Sequence, residues 1–329
     1  TKRIPAMIAL PAPASPATLS APYLVVDDFL PLELALSMRA DIDRHFGNPG
    51  QHSPDIHQIW NYWYVPETYT YLRTIPEKVI DKERVSTFVS NLREWASATL
   101  GMTYVNWPYL SLYVNGCNQQ MHNDSLNGRF GFVYSLTNPV RKTVGGATLL
   151  MTEGDPFRRN LSNPMSIVSL CEKVEPNFNR LVIFDDRIVH AVERVEGSMD
   201  PVEGRFVLHG HIQEQGPLVS GSLSLETLQP ALHEALGAFV AQHGEEAYAF
   251  HGPISTRFQI DSRGGVSGLH VLLDRVVSVA ERDAGAWPAL RSRYLAALGA
   301  ARYPQAEGPT TVILPMAFSG PAGRPAASS

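Results

Sequence analysis

The chain has 329 residues, of which 44% are hydrophobic and 18% are charged. These proportions exclude a disordered or low-complexity protein and supply enough apolar residues for a large core. The formal net charge of -5 gives no reason to expect nucleic acid or an anionic membrane as a partner. Two cysteines are too few for a disulfide framework, and no apolar run is long enough to span a bilayer, so we expect a cytoplasmic protein.

Composition shifts divide the chain into four segments. The proline- and alanine-rich start predicts a flexible leader, and a signal peptide is less favoured because Pro5 and Pro11 interrupt its apolar run. The end of the chain, "SGPAGRPAASS", is typical of a disordered tail. The predicted segments are a leader over 1–22, a first domain over 23–215, an accessory α+β domain over 220–318 and a tail over 319–329.

The stretch after the leader predicts one strand and two helices. "YLVV" is typical of a strand, and Asp27 or Asp28 is expected to cap a helix that begins near Pro31. "KERVSTFVSNLREWASATLG" predicts a second amphipathic helix. The aromatic segment between them, "HQIWNYWYVPETYTYL", has two interpretations. Its rings pack in the core against a sheet, which we favour, or they line a ligand pocket.

From residue 106 to about 213 the apolar period falls to two and turn residues multiply. Many short strands separated by Gly, Pro, Asn and Asp are typical of an antiparallel barrel or jelly roll, with the preceding helices packed on one sheet. The predicted fold class is therefore mainly β with flanking helices. The predicted strands are "YLSLYV", "RFGFVYSL", "ATLLM", "MSIVSL", "RLVIF", "HAVERV" and "RFVLHGHI".

The segment beyond residue 220 predicts a small α+β domain. "LETLQPALHEALGAFVAQHG" is typical of a helix, and "STRFQIDSRGGVSGLHVLLDRVV" predicts a hairpin that turns at Arg263-Gly264-Gly265. "AWPALRSRYLAALGAARYP" places Trp287, Leu290, Tyr294, Leu295 and Leu298 on one helical stripe, and "TTVILPMAF" predicts a final strand.

Four polar residues of the predicted barrel suggest a metal site with an anion clamp. His122 and Asp124 lie two residues apart, so an extended chain directs both side chains to one face. His190 follows an apolar strand and an acidic turn, and Arg205 opens a later strand. Two neutral imidazoles and one carboxylate make the facial site typical of non-haem Fe(II) oxygenases, with positions left for a chelating 2-oxo acid and oxygen. A guanidinium suits the far carboxylate of such an acid because its planar fork forms two parallel hydrogen bonds.

The order of these residues on short strands resembles the Fe(II)/2-oxoglutarate-dependent oxygenase superfamily, in particular its prolyl-hydroxylase-like branch. The resemblance extends over roughly residues 23 to 213. It is carried by "DDFLPLELA", by "LSLYVNGCNQQMHND" with Tyr113 nine residues before the first histidine, by "GGATLLM" and by "PNFNRLVIFDDRIVHAVERV". The position two residues after the arginine, where many relatives carry a hydroxyl, is Val207.

What the resemblance implies is a double-stranded β-helix core and specific roles for five residues. His122, Asp124 and His190 become the iron ligands, Arg205 holds the cosubstrate and Tyr113 assists it. The implied cofactors are Fe(II), 2-oxoglutarate and O2, with ascorbate as a candidate supporting reductant.

The carboxylate at Asp124 bears on the reaction that the resemblance implies. Related halogenases carry a small residue there, so the carboxylate favours hydroxylation or another C–H oxidation, with release of succinate and CO2. The expected substrate is an amino acid, a peptidyl residue or a natural-product intermediate. Desaturation or cyclisation on the same iron, and a non-catalytic cupin-like binding module, remain alternatives.

Each of these residues also has a structural alternative. Asp124 could bond the backbone of a turn, His190 could be a core histidine, Arg205 could pair with a surface acid, and Tyr113 could pack in the core. His209-x-His211 is a competing metal motif, although we favour one of the pair bordering the cosubstrate pocket.

The C-terminal domain carries no predicted catalytic cluster. Its hairpin, helix and strand are faintly similar to the C-terminal domain of TonB-like proteins, which binds partners through a strand edge. A homodimer or a partner bound through this domain, substrate capture and plain stability are all left open.

Overall fold

The computed structural model describes residues 18–48, 53–124, 129–151, 171–279, 283 and 285–320. Their Cα positions cluster into two compact units. The N-terminal unit comprises residues 21–98 and 102–215, and the C-terminal unit comprises residues 18–20, 99–101 and 216–320 of the described chain. The predicted strand "MSIVSL" and the stretch 152–165 lie outside the described residues.

The N-terminal unit combines three helices with one large antiparallel sheet. Its helices are α1 Leu32–His45, α2 Pro54–His57 and α3 Lys82–Thr99. Its strands are β1 Tyr23–Val26, β2 Asn61–Val65, β3 Tyr69–Thr74, β4 Tyr104–Val105, β5 Tyr109–Tyr113, β6 Asn118–His122, β7 Phe130–Ser135, β8 Thr148–Leu150, β9 Glu172–Val174, β10 Leu181–Asp185, β11 His190–Val192 and β12 Arg205–Gln213.

These twelve strands form a single curled sheet, which confirms the mainly β, jelly-roll fold class. Its order is β1-β10-β7-β12-β5-β3-β6-β11-β8-β9, with β2 added beside β3 and β4 beside β12. Side chains of β12 and β8, which are not neighbours in this order, nevertheless touch, since the Arg205 guanidinium donates to the Thr148 hydroxyl over 3.3 Å. The sheet therefore curls back on itself and encloses a space between its two halves.

The first helix begins where the sequence predicts it, but the predicted aspartate cap is wrong. Pro31 is the N-cap residue, and no side chain caps the helix. The carboxylate of Asp27 instead accepts hydrogen bonds from Arg180 at 2.6 and 2.9 Å. Asp28 adopts a φ of 50°. The two aspartates thus lie in the connection from β1 to α1 and do not cap the helix. Proline stands at the helix start, where its missing N–H needs no partner.

The aromatic segment forms a hairpin that the sequence analysis did not assign. β2 and β3 pair antiparallel from Asn61↔Arg73 to Val65↔Tyr69, and Glu67 in their connection has a φ of 62°. All five residues of β2 are exposed. The preferred interpretation, that these rings pack in the core, is therefore wrong for β2.

The C-terminal unit has the predicted α+β composition. Its sheet has the order β13-β17-β14-β15, with β16 beside β14. The turn at Arg263-Gly264-Gly265 is confirmed, with Gly264 at a φ of +81° that side chains rarely adopt. Its elements are β13 Leu218–Gly221, α4 Leu225–Ala247, β14 Phe250–Ile260, β15 Val266–Asp274, β16 Val277–Ser278, α5 Trp287–Ala300 and β17 Thr310–Ser319.

Helix packing in this unit follows the predicted stripe. Trp287, Leu290, Tyr294 and Leu298 of α5 are buried in one apolar cluster with Phe258 of β14. Helix α4 is capped by Ser224, whose hydroxyl accepts from the backbone N–H of Thr227 at 3.2 Å.

The two ends of the chain depart from the predicted flexible segments where they are described. Leu19 forms a parallel bridge with Leu273, so the predicted leader includes residues that pair with β15. Ser319 belongs to β17, and the backbone N–H of Gly320 donates to Phe250. Residues 1–17 and 321–329 lie outside the described residues. Among the helices of the described chain, none is both long and apolar enough to cross a bilayer.

Candidate active site

Three of the predicted site residues meet at the open end of the curled sheet. His122 ends β6, His190 opens β11, and the two are directly paired across the sheet. Asp124 follows two residues after β6 and is placed by its backbone N–H, which donates to the carbonyl of Asp186 at 3.0 Å. One ligand atom from each of the three side chains lies within 4.8 Å of the others. Among the described residues this is the one group of three such side chains that could hold a metal ion.

The ring nitrogens are arranged as metal ligands require. The Nδ1 atoms of His122 and His190 lie 2.7 and 3.0 Å from the carbonyl oxygens of Gln120 and Ile188. Because a carbonyl can only accept, Nδ1 of each ring carries a proton, and Nε2 is the nitrogen whose lone pair a metal would take. Both Nε2 atoms face Asp124, at 3.9 Å for His122 and 3.4 Å for His190.

The protonation states suit a cation at this point. Burial and then the charge of His190 lower the pKa of His122, so its imidazole is neutral at neutral pH. Burial alone would raise the pKa of Asp124, but the hydrogen bond to His190 and the charges of the neighbouring histidines outweigh it and lower the pKa. Neutral imidazoles with an ionised carboxylate are the forms that bind metal.

A polar chain connects the triad to the predicted cosubstrate residues. The Tyr113 hydroxyl donates to Oε1 of Gln119 at 3.2 Å, and Nε2 of Gln119 lies 3.0 Å from Nε2 of His122. A metal ion would take the lone pair that this amide now contacts, so the Gln119 side chain would have to move on metal binding. Gln119 was not singled out by sequence, although its position three residues before the histidine places it on the same strand.

Arg205 lines the space that the curled sheet encloses. It is 1% exposed, and within the described part of the chain its Nε and Nη1 atoms find no hydrogen-bond partner. Burial lowers the pKa of this guanidinium, yet an arginine stays charged in proteins. A buried cation with unused donors costs free energy unless an anion completes it. The arrangement therefore fits a bound carboxylate.

The surroundings of Arg205 include a hydroxyl, although position 207, where many relatives of the resembled family carry one, is a valine. Val207 lines the space without one, but Thr148 on β8 supplies a hydroxyl that accepts from Nη2. Gly146, with a φ of +78°, leaves room for the arginine stem, because a Cβ there would lie 3.0 Å from its Cδ. The glycine-led strand thus accommodates and contacts the guanidinium.

Tyr113 stacks beneath the arginine rather than standing apart. Arg205 and Tyr113 are cross-strand partners, and the guanidinium carbon lies 4.8 Å from the ring centroid. Tyr71 stacks on Tyr113 with ring centroids 5.1 Å apart. Burial raises the pKa of Tyr113, so its hydroxyl remains a donor.

The metal triad and the residues around Arg205 line one cavity of about 230 Å³, which includes Tyr71, Tyr113, Gln119 and Thr148. Because side chains alternate along a strand, one face of β3, β5 and β12 supplies a large part of its wall. Tyr69, Tyr71 and Trp63 belong to that wall. These three rings line a cavity, as the pocket interpretation of the aromatic segment predicts, and Tyr71 is also buried in the core, as the other interpretation predicts.

His209 and His211 also line the cavity but do not join the metal group. His209 lies 2.8 Å from the Ser111 hydroxyl, and burial, followed by the charges of Arg73 and Arg205, lowers its pKa to about 3. Nδ1 of His211 lies 3.3 Å from the buried carboxylate of Asp186. We expected one of the two histidines to border the pocket, and both of them do.

Comparisons with known proteins add a likeness of fold. Neither a family model nor a curated protein matches the chain. Among solved structures, a Pseudomonas putida prolyl-4-hydroxylase is 16% identical with a TM-score of 0.43, covering 60% of this chain and 94% of that one. A Trichoplax adhaerens prolyl hydroxylase in complex with a hypoxia inducible factor oxygen degradation domain peptide fragment is 13% identical with a TM-score of 0.42, covering 58% and 82%. The viral collagen prolyl hydroxylase of Paramecium Bursaria Chlorella virus-1, solved as a 2OG complex, is 13% identical with a TM-score of 0.38, covering 59% and 96%.

All three neighbours are prolyl hydroxylases, the branch that the sequence resembles. At such low identity the likeness concerns the fold alone. What this chain does has to be argued from its own cavity.

Proposed function

We propose that this chain is an Fe(II)- and 2-oxoglutarate-dependent dioxygenase that hydroxylates an aliphatic C–H bond. The proposed substrate is an amino acid, a peptidyl residue or a natural-product intermediate, and succinate and CO2 are the coproducts. The observation that carries the proposal is the convergence of His122, Asp124 and His190, whose ligand atoms lie within 4.8 Å of one another beside a buried guanidinium.

The ligand set supports iron over a closed structural metal. Two imidazoles and one carboxylate on one side of a cation form the facial triad, which leaves positions for other ligands. A structural zinc site would use four protein ligands. Within the described residues this group offers three.

The unpaired donors of Arg205 support a dicarboxylic 2-oxo acid as cosubstrate. One end of such an acid can reach the metal, and its far carboxylate can neutralise the guanidinium. The Thr148 hydroxyl and the Tyr113 ring hold the guanidinium in place. A bound iron would supply the oxygen chemistry, which couples decarboxylation of the 2-oxo acid to oxidation of the substrate.

The chain's own residues position the reactants and keep the site dry. The carbonyls of Gln120 and Ile188 fix the ring tautomers, so that each Nε2 lone pair points inward. Phe184 packs against His190 with ring centroids 4.5 Å apart and covers one side of the triad. Burial of this kind strengthens every charge interaction in the cavity.

Anaerobic titration with Fe(II) and 2-oxoglutarate tests the proposal. The complex should show a visible metal-to-ligand charge-transfer band, and His122→Ala should abolish it by removing a ligand. His211→Asn is the matched control, because this histidine lines the same cavity outside the metal group, and the band should persist. Absence of the band in the folded wild-type protein would reject the iron assignment.

Slow turnover separates an enzyme from a binding module. With oxygen and iron, the wild-type protein should convert 2-oxoglutarate to succinate even without a substrate. A cupin-like module that only binds would show the charge-transfer band and produce no succinate above a His122→Ala control.

A further inference from the structure

A second guanidinium, that of Arg73, lines the same cavity as Arg205. Arg73 lies on β3 two residues after Tyr71, so both side chains point to the face that forms the cavity wall. The residue is half-buried. The proposed function assigns roles to the metal triad and to Arg205 but none to Arg73.

Two aromatic rings hold this guanidinium from opposite sides. Its central carbon lies 3.7 Å from the ring centroid of Trp63 and 4.1 Å from that of Tyr109. Trp63 belongs to β2 and Tyr109 to β5, and β3 lies between those two strands in the sheet. With both faces covered, the guanidinium can offer its N–H donors only along its edge, which is the geometry of a bidentate carboxylate contact.

Arg73 has no acidic partner among the described residues, a property that it shares with Arg93, Arg141 and Arg205 of the same unit. Several other arginines of the unit are paired. The paired arginines include Arg39 with Asp43 at 2.7 Å, Arg129 with Glu214 at 2.8 Å, Arg180 with Asp27 at 2.6 Å and Arg187 with Asp185 at 2.5 Å. Arg73 and Arg205 thus share two properties, an unpaired charge and a place in the cavity wall.

One cosubstrate molecule cannot neutralise both cations and also chelate a metal. Its far carboxylate is assigned to Arg205 and its 2-oxo acid end to the triad, so Arg73 is left for a different anion. His209, which lines the same cavity, adds no further positive charge, since burial and then the charges of Arg73 and Arg205 lower its pKa. The cavity of about 230 Å³ admits a small acid or one residue of a larger molecule.

We propose that Arg73, held between Trp63 and Tyr109, binds a carboxylate of the primary substrate. The substrate is therefore a carboxylic acid whose body packs on the aromatic wall of the cavity. This inference rests on the proposed function in assigning Arg205 to the cosubstrate. A free small acid and an acidic side chain of a peptide present the same group, and the two arms of the test distinguish them.

The test compares carboxylates with their neutral amides on the full chain. The free-acid arm uses benzoate against benzamide and N-acetyl-L-phenylalanine against its amide. The peptide arm uses acetyl-Ala-Glu-Ala-amide against the peptide with Gln in place of Glu. Binding is measured by ligand-detected saturation-transfer NMR, without iron and with excess 2-oxoglutarate to fill the site at Arg205.

We expect at least one carboxylate to bind about tenfold more tightly than its amide, since charge-assisted bonds are roughly twice as strong as neutral ones. Arg73→Met, which keeps an apolar stem between the rings, should remove this preference. Arg73→Lys keeps the charge but not the fork and should retain part of it. Arg44→Gln, at a side chain that is 74% exposed, controls for the lost charge and should bind as wild type does.

Two results would overturn the inference. One is equal binding of every acid and its amide to the wild-type protein. The other is a carboxylate preference that survives in Arg73→Met, with the melting temperature showing that the variant is folded. Either result can be obtained while the charge-transfer band appears normally, so the inference can fail while the oxygenase assignment holds. Conversely, a missing band together with a carboxylate preference that depends on Arg73 would reject the oxygenase assignment and leave the inference about Arg73 standing. Arg205→Met in the same assay shows whether any binding belongs to the other guanidinium.

Discussion

The two units of the molecule bury different kinds of side chain. In the described chain, the buried charged residues and the buried histidine all lie in the N-terminal unit: Arg39, Asp41, Asp185, Asp186, His190 and Arg205. The buried polar residues of the C-terminal unit are Ser255, Thr256 and Thr310, which carry no charge. The core of the C-terminal unit is otherwise built of aromatic and aliphatic side chains.

This difference separates stability from function. A buried charge is costly unless it is paired, whereas a packed apolar core stabilises without any ligand. Two buried acids of the N-terminal unit have cationic partners, Arg84 for Asp41 and Arg187 for Asp185, and Asp186 contacts His211. Arg205 has no acidic partner among the described residues, and it faces the cavity. We therefore expect the Arg205 cavity to be the place where the fold gives up stability for a ligand.

Phe258→Ala should have the largest effect on stability. Its side chain is 0% exposed and packs on Tyr303 with ring centroids 5.8 Å apart. Loss of a buried aromatic ring should lower the free energy of unfolding by about 3–5 kcal/mol, as measured by urea denaturation. Val240→Ala, at a residue that is 56% exposed in the same unit, should change it by less than about 0.5 kcal/mol. A comparable loss in both variants would mean that this core is not tightly packed.

Arg205→Met should weaken the binding of 2-oxoglutarate but raise the stability of the ligand-free protein. The affinity for 2-oxoglutarate should fall by about 2–5 kcal/mol, because a buried charge pair is lost. The ligand-free protein should become more stable by about 1–4 kcal/mol, because an unpaired buried charge is replaced by an apolar side chain of similar length. Calorimetric titration and urea denaturation measure the two quantities. A variant that is destabilised without ligand would show that the guanidinium is satisfied in the free protein.

Thr148→Val should have a smaller effect on the same site. The hydroxyl that accepts from Arg205 Nη2 is removed while the shape is kept, so the affinity for 2-oxoglutarate should fall by about 0.5–1.5 kcal/mol. Thr148→Ser keeps the hydroxyl and should bind nearly as wild type does. If both variants bound equally, the hydroxyl would have no part in holding the guanidinium.

These same residues show how much of the fold and of the site can be predicted from the sequence. The regular alternation around 109–113 and 205–213 was enough to predict the strands that carry Tyr113 and Arg205. The order of His122, Asp124 and His190 suggested a common site, and the structure brings them together, although their role as iron ligands stays a prediction. Thr148 was not found because its contact with Arg205 depends on how the sheet curls, which strand patterns do not encode.

The aromatic hairpin shows a second limit. Aromatic residues on both faces of β2 and β3 conceal the period of two, so no strand was predicted there. The connection "PET" between Val65 and Tyr69 was the available signal, since proline with a polar residue after it is typical of a turn. As a result, Arg73 and its two covering rings could be recognised only once β3 was placed between β2 and β5.

The smallest predicted effect concerns a charge pair at the surface, which sharpens the contrast with the buried charges. Hydrogen bonds from Arg180 lower the pKa of Asp27, although this carboxylate is 58% exposed. Such a pair stabilises by no more than about 1 kcal/mol because solvent screens it. Since the pKa is lower in the folded state, the contribution is present above the ordinary pKa of aspartate and is lost as the pH falls through the folded value. Asp27→Asn should therefore be less stable than wild type at pH 7, and the difference in unfolding free energy should shrink toward pH 3. Asp28→Asn is the control, because Asp28 forms no ion pair with a described residue, and it should show no such trend. If the difference for Asp27→Asn stayed constant over this pH range, the pair would not stabilise the fold.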